Sequence, residues 1–168
     1  LKIRENTIID SNKFRHVQSN KILGVTHPNY TKGTISYAHS LMPKWIVNYL
    51  RNKFLRIQKP QSGFEKIYID RSDSNLNHCK LINNSEIKKY LKSKSFKILK
   101  LSGLSFKKQI GIFKSAKIII GPHGAGFANL VFCKKNTRII EIRPKNHPNK
   151  VYERVSKINN LNYKLISL

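Results

Sequence analysis

A turn rich in glycine, proline and histidine, residues 121–126, directly follows the apolar run 118–120. Gly124 and Gly126 have no Cβ atom, so the backbone there can approach a ligand closely or take a positive φ. The apolar segment that follows favours a short helix, whose first N–H groups would attract an anion. The anion that best suits this geometry is a nucleotide diphosphate. The turn residues predicted to contact it are Gly121, His123, Gly124, Ala125 and Gly126.

His123 has two interpretations. In a catalytic role its imidazole would hydrogen-bond the phosphates and, as imidazolium, add positive charge where a leaving diphosphate becomes negative. In a structural role it would brace the turn. Asn129, one turn into the predicted helix, likewise either holds the loop or contacts the ligand.

Two charged residues lie at or near predicted strand ends. Arg71 follows a strand, where its guanidinium can bind a phosphate through two parallel hydrogen bonds; pairing with Asp70 or Asp73 is the alternative. Glu141 lies inside an apolar strand, and an acidic residue there often accepts hydrogen bonds from ribose hydroxyls. Pairing of Glu141 with a neighbouring arginine is the alternative.

Periodicity places these residues on alternating strands and helices. Strands are predicted at 21–26, 66–70, 96–101, 117–121, 138–142 and 163–167, and helices at 37–55, 85–94, 105–116 and 148–159. Such alternation predicts an α/β fold, a Rossmann-like parallel sheet with helices on both faces and right-handed crossovers. Residues 1–30 are interpreted as a linker or a remnant of a preceding domain, and residues 31–168 as the Rossmann-like domain.

Composition narrows the function classes. The chain has 168 residues and a formal charge of +25, carried mostly by lysines spread along its length. Compositional bias and a functional attraction to anions both stay open as the cause. No stretch approaches the roughly 20 apolar residues that span a bilayer. Two cysteines are too few for a zinc cluster or a disulfide framework, so two free thiols in a reducing compartment are expected.

Several segments, in this order, resemble blocks of glycosyltransferase family 61. They are Ile67-Tyr68-Ile69-Asp70-Arg71; Leu81-Ile82-Asn83 with Glu86; Ser105-Phe106-Lys107-Lys108-Gln109-Ile110; and Gly121 to Gly126 with Asn129, followed by Ile139-Ile140-Glu141-Ile142. The second block departs from the family, with Cys79 and Lys80 at a basic pair and Asn84 at an acidic position. The turn before the last block has Asn136 where the family has glycine, and asparagine tolerates the left-handed conformation.

The resemblance implies the C-terminal, nucleotide-sugar-binding half of a B-type glycosyltransferase, with the acceptor held by an N-terminal half. Such an enzyme inverts the anomeric carbon and needs no metal or other cofactor; the chain has no Asp-x-Asp motif. The donor is expected to be linked to uridine diphosphate (UDP) and the acceptor to be a glycan or glycoconjugate. Capsule or lipopolysaccharide synthesis is the expected context, in the cytoplasm or peripherally at the inner membrane face, with an anionic membrane surface as a further partner.

Residue roles also follow from the resemblance. Arg71, His123 and the N–H groups after the turn would neutralise the diphosphate, with Asn129 and Glu141 beside the donor. Asp70 and Asp73 are weak candidates for the general base. Asn83, Ser105 and Gln109 would support the site, Ser105 also serving as a helix N-cap.

Two other classes stay open. A non-catalytic nucleotide- or glycan-binding remnant would bind a nucleotide without turnover. A basic nucleic-acid-binding protein would fit the charge, but it should show basic residues interleaved with exposed aromatics or a recognised motif, and the sequence has neither. No specific nucleic acid partner is therefore expected.

Overall fold

The computed structural model describes residues 5–10, 12–14, 16–23, 41–73, 79 and 81–168. The strands are β1 (Lys66–Ile69), β2 (Lys97–Leu99), β3 (Ile118–Pro122), β4 (Arg138–Arg143) and β5 (Asn162–Ser167). The α-helices are α1 (Lys44–Phe54), α2 (Asn84–Ser93), α3 (Phe106–Ser115) and α4 (Val151–Ile158). A 3-10 helix, Ala125–Phe132, lies between β3 and β4, and a 3-10 turn spans Glu5–Thr7.

The five strands form one parallel sheet in the order β2-β1-β3-β4-β5. The chain moves from β1 to its neighbour β2, returns past β1 to β3 and then continues outward to β5. The direction of winding therefore reverses between β1 and β3. Right-handed crossovers put α2 on one face of the sheet and α3, the 3-10 helix and α4 on the other. This is the Rossmann-like α/β fold that the sequence predicts.

The core explains why the apolar runs become strands. Ile67, Ile119 and Ile139 occupy neighbouring strands and are fully buried. A parallel sheet is covered on both faces, so its strands are continuous apolar runs rather than alternating patterns. Phe113 of α3 and Phe127 of the 3-10 helix belong to the same core. Glu141 of β4 is fully buried among these apolar side chains, and such a group needs partners.

The segment after the turn differs from the expected helix. It begins at Ala125, within the turn, and is a 3-10 helix throughout, with the Phe127 N–H donating to the Gly124 carbonyl at 3.0 Å. Phe127, Leu130 and Cys133 are each fully buried. Val131 and Phe132 are buried as well, so the second half of the segment belongs to the core.

The predicted boundaries agree with the structure within about three residues at β1 to β5 and at α2 to α4. The predicted strand at 21–26 has no counterpart at 21–23, which are irregular, and residues 24–26 lie outside the described part. The first helix begins at Lys44, after Pro43 in an extended conformation, while residues 37–40 are not described. The boundary expected between residues 30 and 31 is not described either.

Three local predictions are confirmed. The Ser105 hydroxyl accepts a hydrogen bond from the Lys108 N–H at 3.3 Å, which caps α3. Asn136 has a φ of 67°, the left-handed conformation expected in the turn before β4. Cys79 and Cys133 are both free thiols.

Candidate functional site

A cleft of about 190 Å³ opens where the winding of the sheet reverses. We call it the switch-point cleft. Segments that follow β1, β2 and β3 line it, with Ile69, Asp70, Arg71, Asp73, Leu101, Ala125 and Gly126 at its walls. Ligands of doubly wound sheets bind at this position, outside the carboxyl ends of the strands. Arg71 also lines a neighbouring cavity of about 90 Å³, together with Pro122 and Asn84.

The Arg71 guanidinium is held against the turn after β3. Its Nη1 donates a hydrogen bond to the main-chain carbonyl of His123. A Cβ atom built on Gly124 would lie 2.3 Å from Arg71 Cζ, so a larger residue would collide with the guanidinium. Gly124 has a φ of 162°, which is extended backbone open to any residue. The close approach predicted for Gly124 is therefore present, but the group that approaches is Arg71 rather than a ligand.

The imidazole of His123 points away from the switch-point cleft. The residue is only 6% exposed and is absent from the linings of both Arg71 cavities. Its Nδ1 is hydrogen-bonded to Glu141 Oε1, and its ring packs on His147, with 4.1 Å between ring centroids. The side chain therefore braces the turn, and direct contact with a ligand in the cleft is not supported. On the side of the cleft, His123 contributes its main-chain carbonyl, which accepts the hydrogen bond from Arg71.

Glu141 is the carboxyl group that holds the His123 imidazole. It is fully buried, and its second oxygen accepts a hydrogen bond from the Tyr163 hydroxyl on β5. Burial first, and then the hydrogen bond to Glu141, raises the pKa of Tyr163, so the phenol keeps its proton and remains a donor. Both carboxylate oxygens are thus engaged inside the protein. Its partners are His123 and Tyr163 rather than a neighbouring arginine, so within the described residues Glu141 holds the turn through His123.

Asp70 is also committed to protein contacts. Its Oδ1 accepts from the Asn84 amide at 3.1 Å and its Oδ2 from Lys88 Nζ at 3.1 Å, while the Ser72 N–H and hydroxyl supply two more hydrogen bonds at 3.1 Å each. Burial raises the pKa of Asp70, but these donors outweigh it and hold the pKa below its usual value. A buried carboxylate whose pKa is lowered and whose oxygens accept from four donors is a poor general base. The structure therefore argues against Asp70 in that role.

Asp73 keeps more surface at the cleft wall. A hydrogen bond from the Ser102 side chain is the largest influence that lowers the pKa of Asp73, and the Ser102 N–H, which donates to Asp73 Oδ2 at 3.2 Å, lowers it further. Asp73 is consequently ionised at neutral pH and adds a negative charge to the cleft rim. It does not pair with Arg71 in any contact of the described residues.

The remaining predicted residues support the turn. Gln109 donates to the Leu101 and Leu104 carbonyls and accepts from Asn129 at 2.9 Å, so it joins α3 to the 3-10 helix. This bracing role matches the sequence interpretation, and it gives Asn129 the loop-holding role. Gly121 and Gly126 are needed for packing against Ile69, since an added Cβ would lie 3.1 Å from its side chain in both cases. Asn83 is exposed just before α2 and lines neither Arg71 cavity.

Sequence reasoning missed the residues that hold Asp70 and Glu141. Asn84 and Lys88 are four residues apart on α2, which places them on one helical face directed at the end of β1. From that spacing the sequence alone could have predicted that Asn84 and Lys88 contact the same group. Asn84 also accepts the Tyr68 hydroxyl at 2.6 Å, and burial together with Asp70 raises the pKa of Tyr68 to about 12. Tyr163 gave no local signal, because its partner lies on another strand.

The described residues offer neither a cluster of metal ligands nor a membrane-spanning helix. Among these residues, no three His, Cys, Asp or Glu side chains lie together in a way that could hold a metal ion. Of the helices in the described ranges, none is long and apolar enough to cross a bilayer.

The fold places the protein in the Rossmann-like α/β class, with a cleft at the reversal of strand order, the position where ligands of such sheets bind. The family model described as Glycosyltransferase 61 matches residues 23–140, and the chain therefore belongs to glycosyltransferase family 61. A search of curated proteins gives no match to the chain. Family membership makes the protein a glycosyltransferase, a class that in general takes a nucleotide-sugar donor and a glycan acceptor.

Proposed function

We propose that the protein transfers a hexosyl or pentosyl unit from a UDP-linked donor to a hydroxyl of a glycan or glycoconjugate, with inversion at the anomeric carbon. The observation that supports this most is the position of Arg71. Its guanidinium lies at the carboxyl end of β1, fixed by the His123 carbonyl and by the space that Gly124 leaves. A cation held in one position before the substrate arrives stabilises charge without reorganising.

In the proposed reaction the bond between the anomeric carbon and the diphosphate oxygen breaks, and the acceptor oxygen bonds to that carbon from the opposite side. The proton of the acceptor hydroxyl passes to a general base, for which Asp73 at the cleft wall is the remaining candidate of the two aspartates. The electron pair of the broken bond leaves with the diphosphate. Arg71 neutralises this developing charge, helped by the N–H groups of Ala125 and Gly126 at the start of the 3-10 helix. His123 and Glu141 are positioning residues that hold the turn. These residues account for the donor half of the reaction.

The full-length protein, screened against a panel of nucleotide sugars, tests the proposal. A ligand that binds only the native state raises the free energy of unfolding, by about 2.7 kcal/mol at a ligand concentration of one hundred times Kd, and therefore raises Tm. We expect a UDP-linked sugar to give the largest rise and transfer to persist in excess chelator, because Arg71 and main-chain N–H groups take the place of a metal. Loss of turnover in chelator, restored by magnesium or manganese, would contradict the diphosphate site. Stabilisation without turnover on any acceptor would instead indicate a non-catalytic binding protein.

Gly124→Ala gives a direct check on the Arg71 position. The new methyl group would lie 2.3 Å from Arg71 Cζ, so the guanidinium must move. Misplacement of a binding group by about 1 Å costs up to roughly 100-fold in rate. We therefore expect kcat/KM of the Gly124→Ala variant to fall by about 10- to 100-fold. The control is the double variant with Arg71→Lys. If both changes act through Arg71, the double variant should be little worse than Arg71→Lys alone, whereas additive losses would show that Gly124 acts independently.

A further inference from the structure

A basic surface adjoins the switch-point cleft at Asp70. It is an open groove of about 740 Å³ between α2 and β2, and we call it the lysine groove. Its walls consist of Asp70, Ser85, Lys88, Lys89, Lys92, Phe96, Lys97, Ile98 and Lys100. Asp70 lines both the groove and the cleft, so the two adjoin at the end of β1.

The sequence builds both walls of the lysine groove. Ser85, Lys88, Lys89 and Lys92 have the spacing i, i+3, i+4, i+7, which is one face of α2. Lys97 begins β2 and Lys100 follows its end, and β2 is the edge strand of the sheet, paired only with β1. Ammonium groups therefore face the groove from a helix on one side and a strand on the other.

Positive charge in the groove exceeds what protein carboxylates there neutralise. Asp70 is the one carboxylate in the lining, and Lys88 already binds it at 3.1 Å. Lys89, Lys92, Lys97 and Lys100 are exposed, and Lys100 additionally attracts Asp73 at the cleft rim. Like charges on adjoining positions repel one another. An anionic ligand in the groove would relieve this repulsion.

We propose that the lysine groove binds an acidic glycan, a chain that carries carboxylate or phosphate groups and serves as the acceptor; this rests on the proposed transferase function. A concave channel with charge on two walls suits a linear polyanion. Its half-buried Phe96 and Ile98 offer apolar surface for the faces of sugar rings. A membrane-binding surface instead presents an apolar face that inserts, and single-stranded nucleic acid requires a series of stacking aromatics, whereas among the described residues Phe96 is the one aromatic side chain of the lining.

The experiment compares two variants of the full chain that lose the same charge. The groove variant combines Lys89→Gln, Lys92→Gln, Lys97→Gln and Lys100→Gln; the control combines Lys53→Gln, Lys107→Gln, Lys135→Gln and Lys157→Gln, all exposed and outside the groove. The probes are an oligogalacturonate hexamer, a phosphorylated oligosaccharide of equal length and a neutral hexamer. One exposed ion pair contributes up to about fivefold in affinity, so we expect the groove variant to lose roughly 20-fold or more for an acidic probe and the control less than threefold.

The two acidic probes show which anionic group the groove prefers, and binding of either one, lost in the groove variant alone, supports the proposal. Equal losses in both variants, no binding of either acidic probe, or equal affinity for the neutral hexamer would overturn it. Tighter binding of duplex DNA or anionic phospholipid vesicles at the same salt, lost in the same groove variant, would overturn it as well. Single variants Lys89→Gln and Lys97→Gln serve if the fourfold variant does not fold.

The nucleotide-sugar panel separates this inference from the function itself. If donors stabilise wild type and groove variant alike while acidic probes bind both equally, the groove assignment fails and the transferase proposal stands. If no donor binds but acidic probes still depend on the groove lysines, the transferase proposal fails and the groove remains a polyanion site.

Discussion

Replacing Arg71 with lysine is expected to lower kcat/KM for sugar transfer by about 100- to 1,000-fold, the usual cost of removing one preorganised donor from a developing negative charge. Lysine keeps the charge but loses the planar fork that can bind the His123 carbonyl and a phosphate at once. Because Arg71 is only half-buried, Tm should change little. The measurement is steady-state kinetics of the full-length protein with the donor found in the nucleotide-sugar panel.

Arg138→Lys is the matched control. Arg138 is exposed and is the first residue of β4, so it lies at the amino ends of the strands, whereas the switch-point cleft lies at their carboxyl ends. The same chemical change there should leave kcat/KM close to wild type. Near-normal transfer by Arg71→Lys would remove the main support for the diphosphate site, and equal losses in both variants would point to a general effect of arginine replacement.

His123→Ala is expected to act on stability first. It leaves the fully buried Glu141 carboxylate without its imidazole partner, with only the Tyr163 hydroxyl remaining. Leaving a buried polar group without one of its hydrogen-bond partners typically costs about 1–3 kcal/mol. For a chain of this size we therefore expect Tm to fall by roughly 2–12 °C. Thermal unfolding followed by circular dichroism measures it.

Two comparisons make the His123 result decisive. His147→Ala removes the ring stacked on His123 but not the Glu141 contact, so its Tm should fall much less. Turnover of His123→Ala, measured well below its Tm, should fall less than that of Arg71→Lys, because His123 reaches Arg71 through a main-chain carbonyl that the substitution retains. An unchanged Tm with turnover down by two or more orders of magnitude would show instead that the imidazole contacts the donor.

Local patterns predict much of this fold. The short apolar β-branched runs before residues 70, 122 and 143 are typical of buried parallel strands, and the intervening helices show apolar periodicity. The strand order has no comparable local signal. That β2 lies outside β1 while β3 lies on its other side depends on contacts distant in sequence, and it is this order that makes the cleft.

The direction of the His123 side chain was unpredictable for the same reason. The register of β3 with β4 pairs Gly121 with Glu141 and Pro122 with Ile142, which brings the next residue, His123, beside a carboxylate 18 positions further on. The His123 N–H then donates to the Ile142 carbonyl at 2.8 Å and fixes the turn. The sequence identifies both His123 and Glu141 as special, but only the register shows that they contact each other rather than a ligand.

The hydrogen bond from Tyr163 to Glu141 also determines how much of the chain a protein fragment must include to keep the site intact. The match to the family ends at residue 140, one position before Glu141. A protein shortened to that boundary would lack the carboxylate that holds His123, part of β4 and all of β5, whose Tyr163 is the second partner of that carboxylate. Expression of an intact site therefore requires the chain through Ser167, and tags or fusions placed after β5 disturb it less than those placed at the edge of the recognisable family region.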